Sequence, residues 1–94
     1  MRRERHILHI LKDADSATAV ALIDEQARLG LGTLHVLLIQ DAVGFQPVFT
    51  GPVTLKVSVL KEDLAERRAR AEFETVDYRA MLGLIFDSDS VVAW

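Results

Sequence analysis

The segment Thr33-Leu34-His35-Val36-Leu37-Leu38-Ile39 is apolar at nearly every position and stops abruptly at Gln40-Asp41. A strand with one wet face alternates apolar and polar residues. A run this continuous belongs to a strand covered on both faces, which is the habit of parallel sheets. A second run, His6-Ile7-Leu8-His9-Ile10-Leu11, ends as sharply at Lys12-Asp13. Two such strands need helices above and below them, and that confines the chain to α/β architectures. Its 94 residues make one such domain, with no repeat, low-complexity segment or interdomain linker.

The rest of the chain fits this frame. Residues 17–28 hold no Gly or Pro and are rich in Ala and Leu, so they read as a helix. Ser16 is its first N-cap candidate, with Asp13 and Asp15 as alternatives, and Gly30 or Gly32 closes it. Apolar residues run round the first half of this helix, which predicts contacts on two sides. Residues 42–52 carry Gly44, Pro47, Gly51 and Pro52 and read as a loop, with an apolar turn at Phe45 and Phe49. Residues 53–60 alternate as a third strand. Residues 61–70 form a short charged helix with Glu62 and Asp63 first and Arg67, Arg68 and Arg70 last, in keeping with the helix dipole. Residues 72–76 make a fourth strand. Asp77 caps a helix over 78–86, whose Met81, Leu82 and Ile85 are expected to face the core. The apolar ending Val91-Val92-Ala93-Trp94 is expected to be packed, on this subunit or another. The predicted fold is a small, mostly parallel sheet of four to five strands with helices on both faces.

Composition narrows the chemistry. There is no cysteine, so this chain carries no disulfide, cysteine-ligated metal, iron–sulfur cluster or persulfide. A net charge of −3 provides no basic field for nucleic acid. The basic opening Met1-Arg2-Arg3-Glu4-Arg5 precedes an apolar run too short for a secretory signal, and no stretch reaches membrane-span length. A soluble cytoplasmic protein is the expectation.

Ligands of open α/β sheets bind at the carboxyl ends of the strands. Those ends present Lys12, Asp13 and Ser16, then Gln40 and Asp41, then Lys61 and Glu62, then Asp77 and Tyr78. Asp13 and Asp41 could form an acid/base carboxylate pair, but Asp and Ser at such points are also what caps and turns require. His6 and His9 lie on opposite faces of one strand and make no metal pair, while His9 and His35 would be neighbours if their strands pair in parallel. No glycine-rich phosphate loop, nucleophile elbow or HExxH motif occurs. Arg67, Arg68 and Arg70 form a local basic patch, read as a solvated helix end. Phe45, Phe49 and Trp94 are read either as core or as an interface.

In its order of features the chain resembles the DsrH/TusB family of small sulfur-relay subunits, within the DsrE-like superfamily. The likeness rests on Ile7-Leu8-His9 and on Leu37-Leu38-Ile39-Gln40-Asp41-Ala42-Val43. It rests also on Leu60-Lys61-Glu62-Asp63-Leu64-Ala65-Glu66-Arg67 and on Val76-Asp77-Tyr78 with the ending Ala93-Trp94. Two departures stand out: Ala42 replaces a usual Gly, and Arg68 stands where a Gly often ends the short helix. The resemblance implies a five-stranded α/β fold. It also implies a non-catalytic place in an oligomer with DsrE/TusD-like and DsrF/TusC-like partners, whose cysteines pass sulfur toward tRNA thiolation or sulfur oxidation. No cofactor, metal or catalytic residue is expected. Asp13, Ser16, Gln40, Asp41 and Trp94 are the candidate interface or ligand-facing residues, with Gln40 and Asp41 near the subunit junction and Trp94 helping to pack it. The alternative is a homo-oligomeric module that binds a small ligand or nucleotide at the same residues and has no sulfur role.

Overall fold

A computed structural model describes residues 5–30, 32–45, 47, 49, 55–69 and 73–94. Five strands form one sheet in the order β4-β3-β2-β1-β5. They are β1 (His6–Leu11), β2 (Thr33–Leu38), β3 (Leu55–Leu60), β4 (Glu74–Val76) and β5 (Ser90–Ala93). All neighbours are parallel. The helices are α1 (Ala17–Leu29), α2 (Lys61–Glu66) and α3 (Tyr78–Asp87), and a 3-10 helix spans Gln40–Gly44.

Parallel register puts Ile7 beside Leu34, His9 beside Val36 and Leu11 beside Leu38. Side chains alternate across a strand, so Ile7, Leu11, Leu34, Val36, Leu38 and Val59 share one face. They are buried there against Ala19, Ile23 and Ala27 of α1, with Ala42 and Val43 from the 3-10 helix. The alternate set, Leu8, Leu37 and Leu60, is fully buried and points to the opposite face, which α3 crosses. The continuous apolar runs are therefore explained by cover on both sides.

Helix ends follow local chemistry. Gly30 closes α1 in the left-handed conformation, at φ 66°. Gly32 is needed for a different reason: a Cβ there would collide with the carbonyl oxygen of Arg5, which accepts from Thr33 N at 2.8 Å. Asp77 caps α3, its Oδ1 accepting from Ala80 N at 2.8 Å. Ser16 occupies the N-cap position of α1, but its side chain makes no cap bond. It donates instead to the Asp13 carbonyl at 2.8 Å.

The structure corrects several expectations. The ending 90–93, read only as a packed tail, is a fifth strand. The helix expected over 61–70 stops at Glu66, because Arg68 turns to φ 51°. A left-handed residue ends a helix, and a glycine is its usual occupant, which fits the glycine that Arg68 replaces in the resemblance. Leu82 does not face the core. The half-buried side of α3 is Met81, Leu84 and Ile85, while Leu82 is 51% exposed. The outer side of α1 also stays open, with Leu22 exposed, so two-sided contact does not occur among the described residues. His9 and His35 are not neighbours. His35 pairs with Leu8, one residue out of step with His9, so the two rings point to opposite faces. Arg70 and residues 53–54 and 72 of the expected elements lie outside the described residues.

Candidate functional site at the carboxyl ends of the strands

From β1 the chain winds outward through β2, β3 and β4, and α3 then carries it back to β5 on the other side of β1. The winding direction reverses between β1 and β5, and open α/β sheets hold ligands in the crevice at such a reversal. A cleft of about 290 Å³ lies there, lined by Asp13, Asp15, Ser16, the first turn of α1 and Trp94. Among the expected site residues, Asp13, Ser16 and Trp94 are thus brought together.

Trp94 forms the floor of this end by gripping β1. Its backbone N donates to the Ile10 carbonyl at 3.0 Å, and its indole Nε1 donates to His9 Nδ1 at 3.0 Å. The rings stack with centroids 6.0 Å apart. His9 is 1% exposed, and its Nε2 lies 2.7 Å from Gln26 Oε1 on α1. An indole N–H can only donate, so His9 Nδ1 must accept, and the ring is neutral with its proton on Nε2, donated to Gln26. Gln26 thereby ties α1 to β1, and Trp94 ties β5 to both.

This arrangement has a consequence for pH. Burial lowers the His9 pKa below its ordinary value, with the Gln26 hydrogen bond acting the other way. Burial also lowers His35, helped by the charge of Lys56 and opposed by Glu74. His35 Nε2 lies 2.8 Å from the Oγ of fully buried Ser58. Above pH about 6.5 both rings are neutral in the folded and unfolded chain. Below it the unfolded chain takes up protons that the folded chain refuses, so stability is lost as pH falls through that value. Thermal melts are expected to show a lower Tm at pH 5.5 than at pH 7, values chosen to lie on either side of about 6.5. The same interval should produce a smaller drop in His9→Gln, whose amide can keep both hydrogen bonds. A Tm unchanged over that interval would contradict the neutral, buried His9.

A second cluster lies at the ends of β2, β3 and β4. Gln40 stands at φ 50°, a conformation that a Cβ disfavours by about 1–2 kcal/mol. Its backbone N donates to Asp63 Oδ2 at 2.7 Å, and Asp63 is only 7% exposed. Beside it, Arg67 Nε donates to Asp41 Oδ1 at 3.0 Å. Asp41 itself is 72% exposed, so this ion pair contributes little to stability and serves mainly to orient. Glu62 Oε2 accepts from Tyr78 N at 3.2 Å, linking α2 to α3. The other oxygen, Oε1, is buried without a partner among the described residues. The Tyr78 hydroxyl is pushed above its ordinary pKa, first by the charge of Asp63, then by burial and Glu62.

Gln40 and Asp41 therefore sit on a braced, solvent-facing corner, while Asp13 sits in the cleft beside Trp94. Asp41 is engaged by Arg67, and the next residue, Ala42, donates its N–H to the Lys12 carbonyl at 3.2 Å, joining this corner to the end of β1. Sequence reasoning took Asp63 as a dipole-matching residue and as part of the Leu60–Arg67 motif, not as a brace for Gln40, and it gave Gln26 no role. The signal for Gln26 was a lone amide on an otherwise apolar helix face. Phe49 and Trp94 pack against the core cluster, and Phe45 is half-buried. No group of three or more His, Asp or Glu that could hold a metal occurs among the described residues. Among those residues, too, no helix is long and apolar enough to cross a membrane.

No family model and no curated protein sequence matches the chain. Its fold, however, is similar to that of the crystal structure of the ychN protein from E. coli. The match has a TM-score of 0.65 and 13% identity, covering 98% of this chain and all of that one. At that identity the likeness establishes the α/β architecture over the whole chain.

Proposed function

We propose that this chain is a non-catalytic subunit of a sulfur-relay complex of the DsrH/TusB kind, serving tRNA thiolation or sulfur oxidation. Its partners would be DsrE/TusD-like and DsrF/TusC-like chains. One observation carries the reading. The resemblance rests on separate motifs, and two of them meet in space. Asp63 and Arg67 of the Leu60–Arg67 motif hold Gln40 and Asp41 of the strand-end motif, through the backbone of one and the carboxylate of the other. Motif residues that brace each other around an exposed, strained corner fit a surface kept for recognition. With no thiol on the chain, sulfur would pass between the partners' cysteines, and this subunit would complete and shape their assembly.

Reconstitution tests this reading. DsrE-like and DsrF-like chains from the same cells, mixed with this one, are expected to form a stable complex that passes persulfide sulfur onward faster than the partners alone. Asp41→Lys, a change at an exposed position, is expected to weaken assembly by about 10-fold or more while leaving the fold intact. Partners that neither bind the chain nor change their transfer rate would sink the proposal.

A second reading rests on the cleft between Asp13, Ser16 and Trp94. There the chain would be a homo-oligomeric module holding a small ligand or nucleotide. A rise in Tm with nucleotides or small anions, abolished by Ser16→Leu, would favour it over the sulfur role.

A further inference from the structure

Helix α3 turns an apolar face to solvent. Phe86 is 83% exposed and Leu82 51%, and Tyr78 and Val91 extend the patch. A helix at the edge of a small domain has little reason to present a phenylalanine unless something covers it. The sequence of the helix indicates what does. Gly83 is its centre of near-symmetry: Leu82 and Leu84 flank it, then Met81 and Ile85, then Ala80 and Phe86, then Arg79 and Asp87. At 3.6 residues per turn, Arg79, Gly83 and Asp87 fall along one row of the outward face, with Leu82 and Phe86 beside it. All five of these residues are exposed.

We infer that two copies of this chain pair through α3, antiparallel, about a two-fold axis at Gly83. In that register each Arg79 faces the other copy's Asp87, and each Phe86 lies over the other copy's Ala80. Leu82 would pack across the axis. A two-fold contact must be complementary to itself, and oppositely charged residues at equal distances from one glycine meet that condition. Open space around the Gly83 Cβ position lets the two backbones approach closely.

The charges give a second, independent argument. Helix dipoles favour acids in the first turn and bases in the last. In α3 the order is reversed, with basic Arg79 in the first turn and acidic Asp87 in the last. Neither has an ion-pair partner among the described residues. Helix electrostatics does not account for their placement, whereas reciprocal pairing across the axis does. The pairing uses none of Gln40, Asp41, Asp63 and Arg67, the residues that carry the sulfur-relay proposal, and stands or falls apart from it.

Sedimentation of the purified chain alone, over a wide range of concentration, tests the inference. A reversible dimer is expected. Phe86→Lys should weaken it at least about 30-fold, as for a central anchor residue. Arg79→Asp should weaken it as well, since two acids then face each other. The double reversal Arg79→Asp with Asp87→Arg should restore it. Both reversals suit the helix dipole, and unchanged circular dichroism would show that the helix is retained. A chain that stays monomeric at all concentrations overturns the inference, even if it joins other proteins through this face. So does an oligomer indifferent to Phe86→Lys, or one that the double reversal fails to restore.

Discussion

Replacing Trp94 with Ala is expected to lower the free energy of unfolding by about 2–4 kcal/mol. Truncating a well-packed aromatic side chain costs about 3–5 kcal/mol in a full core, and Trp94 is only partly covered, which reduces the figure. Against that, the change strips His9 Nδ1 of its donor while the ring stays buried, and an orphaned polar group costs about 1–3 kcal/mol. It also loosens β5, which pairs with β1 alone. Trp94→Phe keeps the ring contact with His9 and loses the N–H, so its cost should be mainly that of the orphaned His9 Nδ1, about 1–3 kcal/mol and less than that of the Ala change. Urea titration followed by far-ultraviolet circular dichroism reads both values. An Ala variant within 0.5 kcal/mol of the parent, roughly the size of an ordinary surface change, would mean that the indole does not clamp the edge strand.

The second large effect is expected at Asp63. Asp63→Ala should destabilise the chain by about 2–3 kcal/mol, the range for losing a hydrogen bond to a buried charge. The loss is not purely local, because the carboxylate holds the Gln40 backbone in its left-handed conformation. Gln40→Gly removes the steric cost of that conformation and should raise stability by up to about 1 kcal/mol. A glycine also adopts this conformation unaided, so Asp63→Ala should cost less on the Gln40→Gly background than on the parent. Simple additivity of the two changes would show that Asp63 does not brace the corner.

The sheet was legible because its evidence lies in short stretches. The runs at 6–11 and 33–39 have no polar interruption beyond their histidines, and only burial on both faces tolerates that. Asp77 announced α3 because a cap acts over three residues. Features set by register or distance were not legible. Whether His35 meets His9 depends on a one-residue offset between parallel strands, which composition does not encode. The inward side of α3 could not be chosen because Met81, Leu82, Leu84, Ile85 and Phe86 are all apolar, and periodicity cannot rank them. The fifth strand is only four residues long and alternates half-buried with exposed positions, so it resembled any short apolar ending.

The candidate site divides along the same line. Its polar residues at the strand ends were found by rule, since helices and turns begin there. The links that give them meaning span long separations: 23 residues from Gln40 to Asp63, 26 from Asp41 to Arg67 and 85 from His9 to Trp94. Only the folded sheet brings those partners together. It also sets Asp13 in the cleft with Trp94 and Asp41 beside Arg67.

The most direct test of the proposed role is to purify the tagged chain from its native cells and weigh the intact complexes by native mass spectrometry. The expected result is a complex that contains cysteine-bearing DsrE-like and DsrF-like chains, lost when Asp41 is changed to Lys. Recovery of this chain only as itself, monomer or homo-oligomer, would contradict the sulfur-relay role and move attention to the cleft lined by Asp13, Ser16 and Trp94.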